Sequence, residues 1–156
     1  MADRSQDPLR PFRSRRGRWM AMVAAVAMVV VFSMIGWEAS SWNLPDRIAA
    51  ALAGVAIASF LWRYAMIRAV PDRSGMTVRN LFTTQRVEWD QVTGVRFSPG
   101  DPWARLTRRG DEELAVMAIQ AADGRSSEQE AARLAGIVQA LSPAARRPRP
   151  DDAPAP

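Results

Sequence analysis

The side chains able to do chemistry in this chain are few and narrow in type. Its 156 residues include no Cys, no His and no Lys, and all 21 basic residues are Arg. Without Cys there is no disulfide framework, thiolate zinc site or cysteine nucleophile. Without His the commonest general base and metal ligand are missing. Without Lys there is neither a Schiff base nor a P-loop lysine. Asp, Glu, Ser, Thr, Arg and the single Tyr64 remain, a set suited to recognition rather than catalysis. No enzymatic activity, cofactor or metal site is expected. The acidic run Asp111-Glu112-Glu113 has no second ligand set to complete a shell, and it reads as a solvated turn.

Binding is the chemistry left to arginine and tryptophan. Arg79, Arg86, Trp103 and Arg105 are the candidates for engaging a partner or a lipid headgroup. Clustered cations each contribute about 1 kcal/mol of attraction at an anionic membrane surface. Here Arg73, Arg79 and Arg86 are dispersed beside Asp72 and Glu88, so cross-strand pairing to Glu88 or Asp90 competes with that role. Trp89 alternates with Val87 and is expected in the core. Trp103 follows the Gly100-Asp101-Pro102 break, where it either packs or anchors a partner.

The charge is unevenly spread. Residues 1–18 hold six Arg against Asp3 and Asp7, whereas residues 64–119 hold eight Arg against seven acids. Residues 1–18 alone therefore supply +4 of the net charge of +5, which does not indicate nucleic-acid binding. Arg13, Arg15, Arg16 and Arg18 are the expected membrane-surface contacts, with anionic lipid as their partner.

Those arginines stand in front of the first of two long apolar runs. Residues 19–37 carry no charge, and residues 48–67 carry only Arg63. At about 1.5 Å per residue, each run matches a bilayer's hydrocarbon core of about 30 Å. Trp19, Trp37, Trp42 and Trp62 lie near the run ends, as in an interfacial aromatic belt. Arg63, Arg68 and Arg73 follow the second run, whereas the connecting loop has one Arg and two acids. The positive-inside rule then places both termini in the cytoplasm, with Arg63 snorkelling to the interface. Ser14-Arg15-Arg16 resembles the start of a twin-arginine signal, but the run is long for one and lacks a convincing cleavage site. Ala50, Gly54 and Ala58 share a helical face suited to close packing against the first helix or, as an alternative, against a second copy.

Beyond the hairpin the period becomes strand-like. A strand is expected near residues 66–70, then the turn cluster Pro71-Asp72-Arg73-Ser74-Gly75. Alternation continues at residues 76–79, 86–89 and 95–97. Further strands are read at 103–107 and 114–119, joined through Arg109-Gly110-Asp111. A helix follows over residues 127–141, with capping-box spacing at Ser127/Glu130 or, in an alternative register, Ser126/Gln129, and an apolar stripe of Leu134, Ile137, Val138 and Leu141. From Ser142 the Pro, Ala, Arg and Asp composition argues for disorder.

The runs Gly75-Met76-Thr77-Val78-Arg79-Asn80-Leu81, Arg86-Val87-Glu88-Trp89-Asp90-Gln91-Val92 and Val95-Arg96-Phe97 resemble the bacterial PH-domain family. So do the stretches at residues 100–106 and 115–120. The resemblance implies a small membrane protein, usually actinobacterial, with two spans ahead of one pleckstrin-homology-like domain and no assigned reaction. The expected fold is α+β: a basic tail at 1–18, a transmembrane hairpin at 19–67, a PH-like antiparallel barrel or sandwich capped by a helix at 68–141, and a disordered tail at 142–156. The expected function is a noncatalytic scaffold that presents the domain to a protein partner at the plasma membrane. An anionic-lipid-responsive regulator is the alternative, and homo-oligomerisation is open.

Overall fold

The computed structural model describes residues 7–38 and 42–146. They fall into two compact units, residues 15–66 and residues 7–14 with 67–146. The tail arginine Arg4, the loop at 39–41 and residues 147–156 lie outside the described residues.

The first unit is two helices, α1 (Arg15–Glu38) and α2 (Leu44–Ala65). Helix α2 starts before its apolar run because Asn43 caps it, its side-chain oxygen accepting the Asp46 N–H at 3.1 Å, with Pro45 in the first turn. Both helices are long and apolar enough to cross a membrane, and only 6% and 0% of their apolar windows are buried. That low burial separates them from the core helix of a soluble protein. The small-residue face of α2 is used within the pair: a Cβ on Gly54 would lie 3.4 Å from the Phe32 ring.

The second unit holds six strands: β1 (Arg68–Pro71), β2 (Gly75–Arg79), β3 (Thr84–Glu88), β4 (Val92–Arg96), β5 (Trp103–Arg108) and β6 (Glu113–Gln120). They form two antiparallel three-stranded sheets, β1-β2-β3 and β4-β5-β6. The six expected strands are present, as two sheets; among the described residues no backbone ladder closes them into a barrel. Between β3 and β4 the chain makes a 3-10 turn at Trp89–Gln91, which ends one sheet and starts the other.

Alternation along the strands builds the core. Ala69, Met76, Val78, Val87, Ala104, Leu106, Leu114 and Val116 point inward and are buried. Trp89 is buried as expected, and its indole N–H donates to the Asp72 carbonyl at 2.8 Å. Helix α3 (Arg125–Leu141) supplies Ala131, Leu134, Ile137 and Val138. Its cap differs from the expected box: Gly124, at φ 64°, is the N-cap and makes no side-chain bond. Ser127 donates to the Gly124 carbonyl instead, which frees Glu130 for the contacts described below. Leaving α3, Ser142 is fully buried and its hydroxyl donates to the Val92 carbonyl at 2.6 Å. The packed unit thus extends at least one residue past the expected boundary at 141.

A side chain joins the two sheets where strand pairing does not. Asn80, just past β2 and buried, donates to the Ala115 carbonyl at 2.8 Å and accepts the Met117 N–H at 3.1 Å. Its amide stands in for a neighbouring strand's peptide group at β6, satisfying two main-chain groups.

Candidate functional site

The outer faces of the two sheets carry the arginines singled out from sequence. On β2 and β3, Arg79 pairs with Thr84 and Arg86 with Thr77, so both arginines lie on the face opposite Val78 and Val87. Arg86 is held by the β1–β2 turn rather than by Glu88 or Asp90, its guanidinium reaching Asp72 at 2.8 Å and Ser74 at 2.7 Å. Asp72 is itself the organiser of that turn. One of its carboxylate oxygens accepts the N–H groups of Ser74 (2.8 Å) and Gly75 (2.9 Å) and the Ser74 hydroxyl (2.8 Å). The bond from Arg86, then those from Ser74, hold the Asp72 carboxyl well below its ordinary range. The same pairing raises Arg86.

The strand following this turn must begin with Gly75, because a Cβ there would lie 2.4 Å from the Val87 carbonyl oxygen.

Trp103 and Arg105 are on the second sheet, both on the outward side of β5, where Trp103 is half-buried. Arg105 reaches Glu113 at 2.8 Å and Asp101 at 3.5 Å, and Glu113 also takes Arg96 at 3.0 Å. Its bond to Glu113 raises Arg105. The four candidates are therefore divided between two sheets. Arg86 and Arg105 are neutralised by separate carboxylates, and Arg79 makes no ion pair among the described residues. At the β5–β6 tip, Gly110 and Asp111 take positive φ (82° and 58°), while Glu112 pairs with Arg108 at 2.9 Å. Among the described residues no group of three or more His, Cys, Asp or Glu side chains could hold a metal ion.

A built contact lies elsewhere, along the edge of β1 beside α3, and residues 7–14 fill it. Pro8 and Pro11 bias this segment away from helix, and each lacks an N–H. Phe12 then forms an antiparallel bridge with Ala69: Phe12 N–H donates to Ala69 at 2.8 Å and Ala69 N–H to Phe12 at 3.1 Å. The Phe12 ring is 1% exposed, with the Arg133 guanidinium 3.7 Å from its centre. Arg133 also donates to the carbonyls of Pro8 (2.8 Å) and Arg10 (3.0 Å) and grips Glu130, one helical turn earlier. Glu130 in turn accepts from Arg10 at 2.6 Å. Ser14 closes the far end on Asp123 at 3.1 Å.

This segment packs with the domain, so that residues 7–14 of the basic tail expected at 1–18 form a strap. Sequence reasoning gave Glu130 to a helix cap and left Arg10, Phe12 and Arg133 unassigned. The available signal was Phe12, a lone aromatic between Pro11 and Arg13 in an otherwise polar stretch. Of the membrane-surface candidates, Arg13, Arg16 and Arg18 are exposed; the side chain of Arg15 lies outside the described residues.

A family model described as bacterial PH domain matches residues 67–136. An uncharacterized protein of Mycobacterium tuberculosis is 34% identical over 105 residues, covering 66% of this chain and 68% of that protein. One from Mycobacterium bovis matches over the same length at the same identity. Low molecular weight protein antigen 6 of M. tuberculosis is 40% identical over 53 residues, 34% of this chain and 46% of that protein. No solved structure matches. Two antiparallel sheets closed by a C-terminal helix, the matched span and these relatives lead to one assignment: the chain belongs to the bacterial PH-domain family.

Proposed function

We propose that this protein is a noncatalytic binding module anchored in the bacterial plasma membrane. The hairpin holds a PH-like domain at the cytoplasmic face, where the domain engages a protein partner. The observation carrying the anchor is the outward apolar surface of the first unit, with Trp19, Val26, Leu52 and Trp62 each more than 60% exposed. Such a surface has no stable arrangement in water except against another apolar phase.

The first turns of α1 add support for orientation. Helix α1 has no acidic residue in its first turn, yet Arg16 and Arg18 are exposed there, at the positive end of the helix dipole. In water that placement is unfavourable by about 0.3–1 kcal/mol per charge. Beside anionic headgroups it becomes favourable, at about 1 kcal/mol for each arginine. The same exposed arginines favour the second reading, in which anionic lipid regulates the protein through this basic segment.

Purification of the full chain from native membranes, compared with a chain ending after Met66, separates the readings. A protein recovered only when the domain is present supports the scaffold. Recovery of no such protein, with anionic lipid co-purifying through the arginines, overturns it in favour of lipid regulation.

A further inference from the structure

The strap at residues 7–14 fills a groove whose chemistry is that of peptide recognition. Its floor is the Ala69 peptide group at the edge of β1, which offers an N–H and a carbonyl to any extended chain laid antiparallel to it. Its wall is α3, which offers Arg133 and Glu130 one turn apart. Arg133 reads two main-chain carbonyls and one aromatic face, and Glu130 reads one cation. What this combination specifies is short: an arginine, a spacer and an aromatic residue, in extended conformation.

The groove's own polar groups also ask for an occupant. With the strap removed, both hydrogen bonds of the Ala69 peptide group and the two carbonyl contacts of Arg133 lose their protein partners. Along the strand edge itself the strap makes only the Phe12–Ala69 bridge, far short of a full strand, and the rest of its hold is one buried ring and the half-exposed polar contacts of Arg10, Arg133, Glu130 and Ser14. Covalent attachment explains how so small a contact stays filled, since residues 15–66 join the strap to the domain and make its binding intramolecular. Weak intrinsic affinity in cis leaves the groove open to a better or more concentrated competitor.

We propose that the groove between the β1 edge and α3 is a peptide-binding site, and that residues 8–14 are its tethered occupant. Its partner in trans is an extended protein segment carrying arginine two residues ahead of an aromatic. The proposal rests on the reading of the domain as a binding module and names the chemistry of its partner.

The test uses the full chain in detergent micelles and a fluorescent peptide with the sequence of residues 8–14. The native chain, its groove filled, binds this peptide weakly. A chain carrying Arg10→Glu with Phe12→Ala binds it at least about tenfold more tightly, because the strap no longer competes and loss of its buried ring alone weakens closure by about that factor or more. A peptide carrying Phe12→Ala or Arg10→Glu loses most of that gain. Amide exchange supplies the control: Ala69 exchanges faster in the unlatched chain and is protected again by peptide, while the Trp89 amide, bonded to Ser74 at 3.1 Å, stays unchanged.

Where the double variant does not keep its cooperative melting, Arg10→Glu alone carries the test, because it keeps the ring. A folded, unlatched chain that fails to bind, or that binds the Phe12→Ala peptide equally well, overturns the proposal. Strap exchange between native chains at high concentration would support it, with a second copy as the source of the segment. Peptide binding without any protein recovered from membranes would leave the groove standing and remove the scaffold reading. A recovered partner with no peptide binding would do the reverse.

Discussion

The two units of this protein use apolar side chains in opposite ways. In the hairpin, Trp19, Met34, Leu52 and Trp62 are 62–71% exposed, and burial inside the protein is slight. In the domain, Met76, Val92, Leu106, Val116 and Leu134 are sealed at 0% exposure. Composition alone does not separate these cases, because both regions are rich in Val, Leu, Ala and Met. Pattern does: a run uniform around a helix leaves no polar face for water, whereas strict alternation gives each strand one face for the core. The domain covers its apolar side chains with its own chain, whereas the hairpin leaves most of its apolar side chains uncovered.

The largest test of this contrast is a pair of identical truncations. Leu134→Ala removes a fully buried side chain and is expected to destabilise the domain by about 2–5 kcal/mol in chemical denaturation of the micelle-bound chain. Leu52→Ala, at a position 64% exposed, is expected to leave the domain's melting unchanged within about 0.5 kcal/mol. Equal losses at both sites would break the contrast.

A smaller effect is expected at the seam between the sheets. Asn80→Ala leaves the Ala115 carbonyl and the Met117 N–H without their partner and should cost about 1–3 kcal/mol. Asn80→Asp should restore only the bond from Met117, because a carboxylate has no donor for Ala115. Amide exchange at Met117 checks both: it accelerates in the alanine variant and stays slower in the aspartate one.

The smallest effect is electrostatic and depends on pH. The Asp72 carboxyl is shifted below its ordinary value of 3.8, so its contribution is complete above that value and is lost as pH falls through the lower folded value. The β1–β2 turn should therefore keep its Arg86 contact in mild acid. Carbon-detected NMR titration of Asp72 should show a midpoint below the usual range, and Arg86→Ala should move it upward. An unshifted midpoint in the native chain would remove the lock assigned to Arg86.

What was legible in the sequence followed local rules. The two apolar runs became α1 and α2, the Pro71 to Gly75 cluster became the β1–β2 turn, and Leu134, Ile137 and Val138 face the core. Each is encoded within a few residues by periodicity or turn chemistry. The strap and the seam are encoded at a distance. Arg10 meets Glu130 across 120 positions, and Asn80 meets Met117 across 37. No local period announces such pairs. Glu130 is instructive here, because its spacing from Ser127 fits a cap, yet Gly124 took that role and left the carboxylate to Arg10. The arginines on the outer sheet faces were visible as residues, but their partners were not: Arg86 went to Asp72 in the preceding turn instead of to its neighbours in sequence.

Trp89 gives this fold an optical consequence. Of six tryptophans, four lie in or beside the hairpin helices, while Trp103 and Trp89 are in the domain, Trp89 at 2% exposure with its indole tied to the Asp72 carbonyl. With the chain in a bilayer, quenchers carried on lipid tails should dim the hairpin tryptophans and spare Trp89. Emission surviving such quenching and then shifting to the red in denaturant would report the unfolding of the domain alone, without any added label.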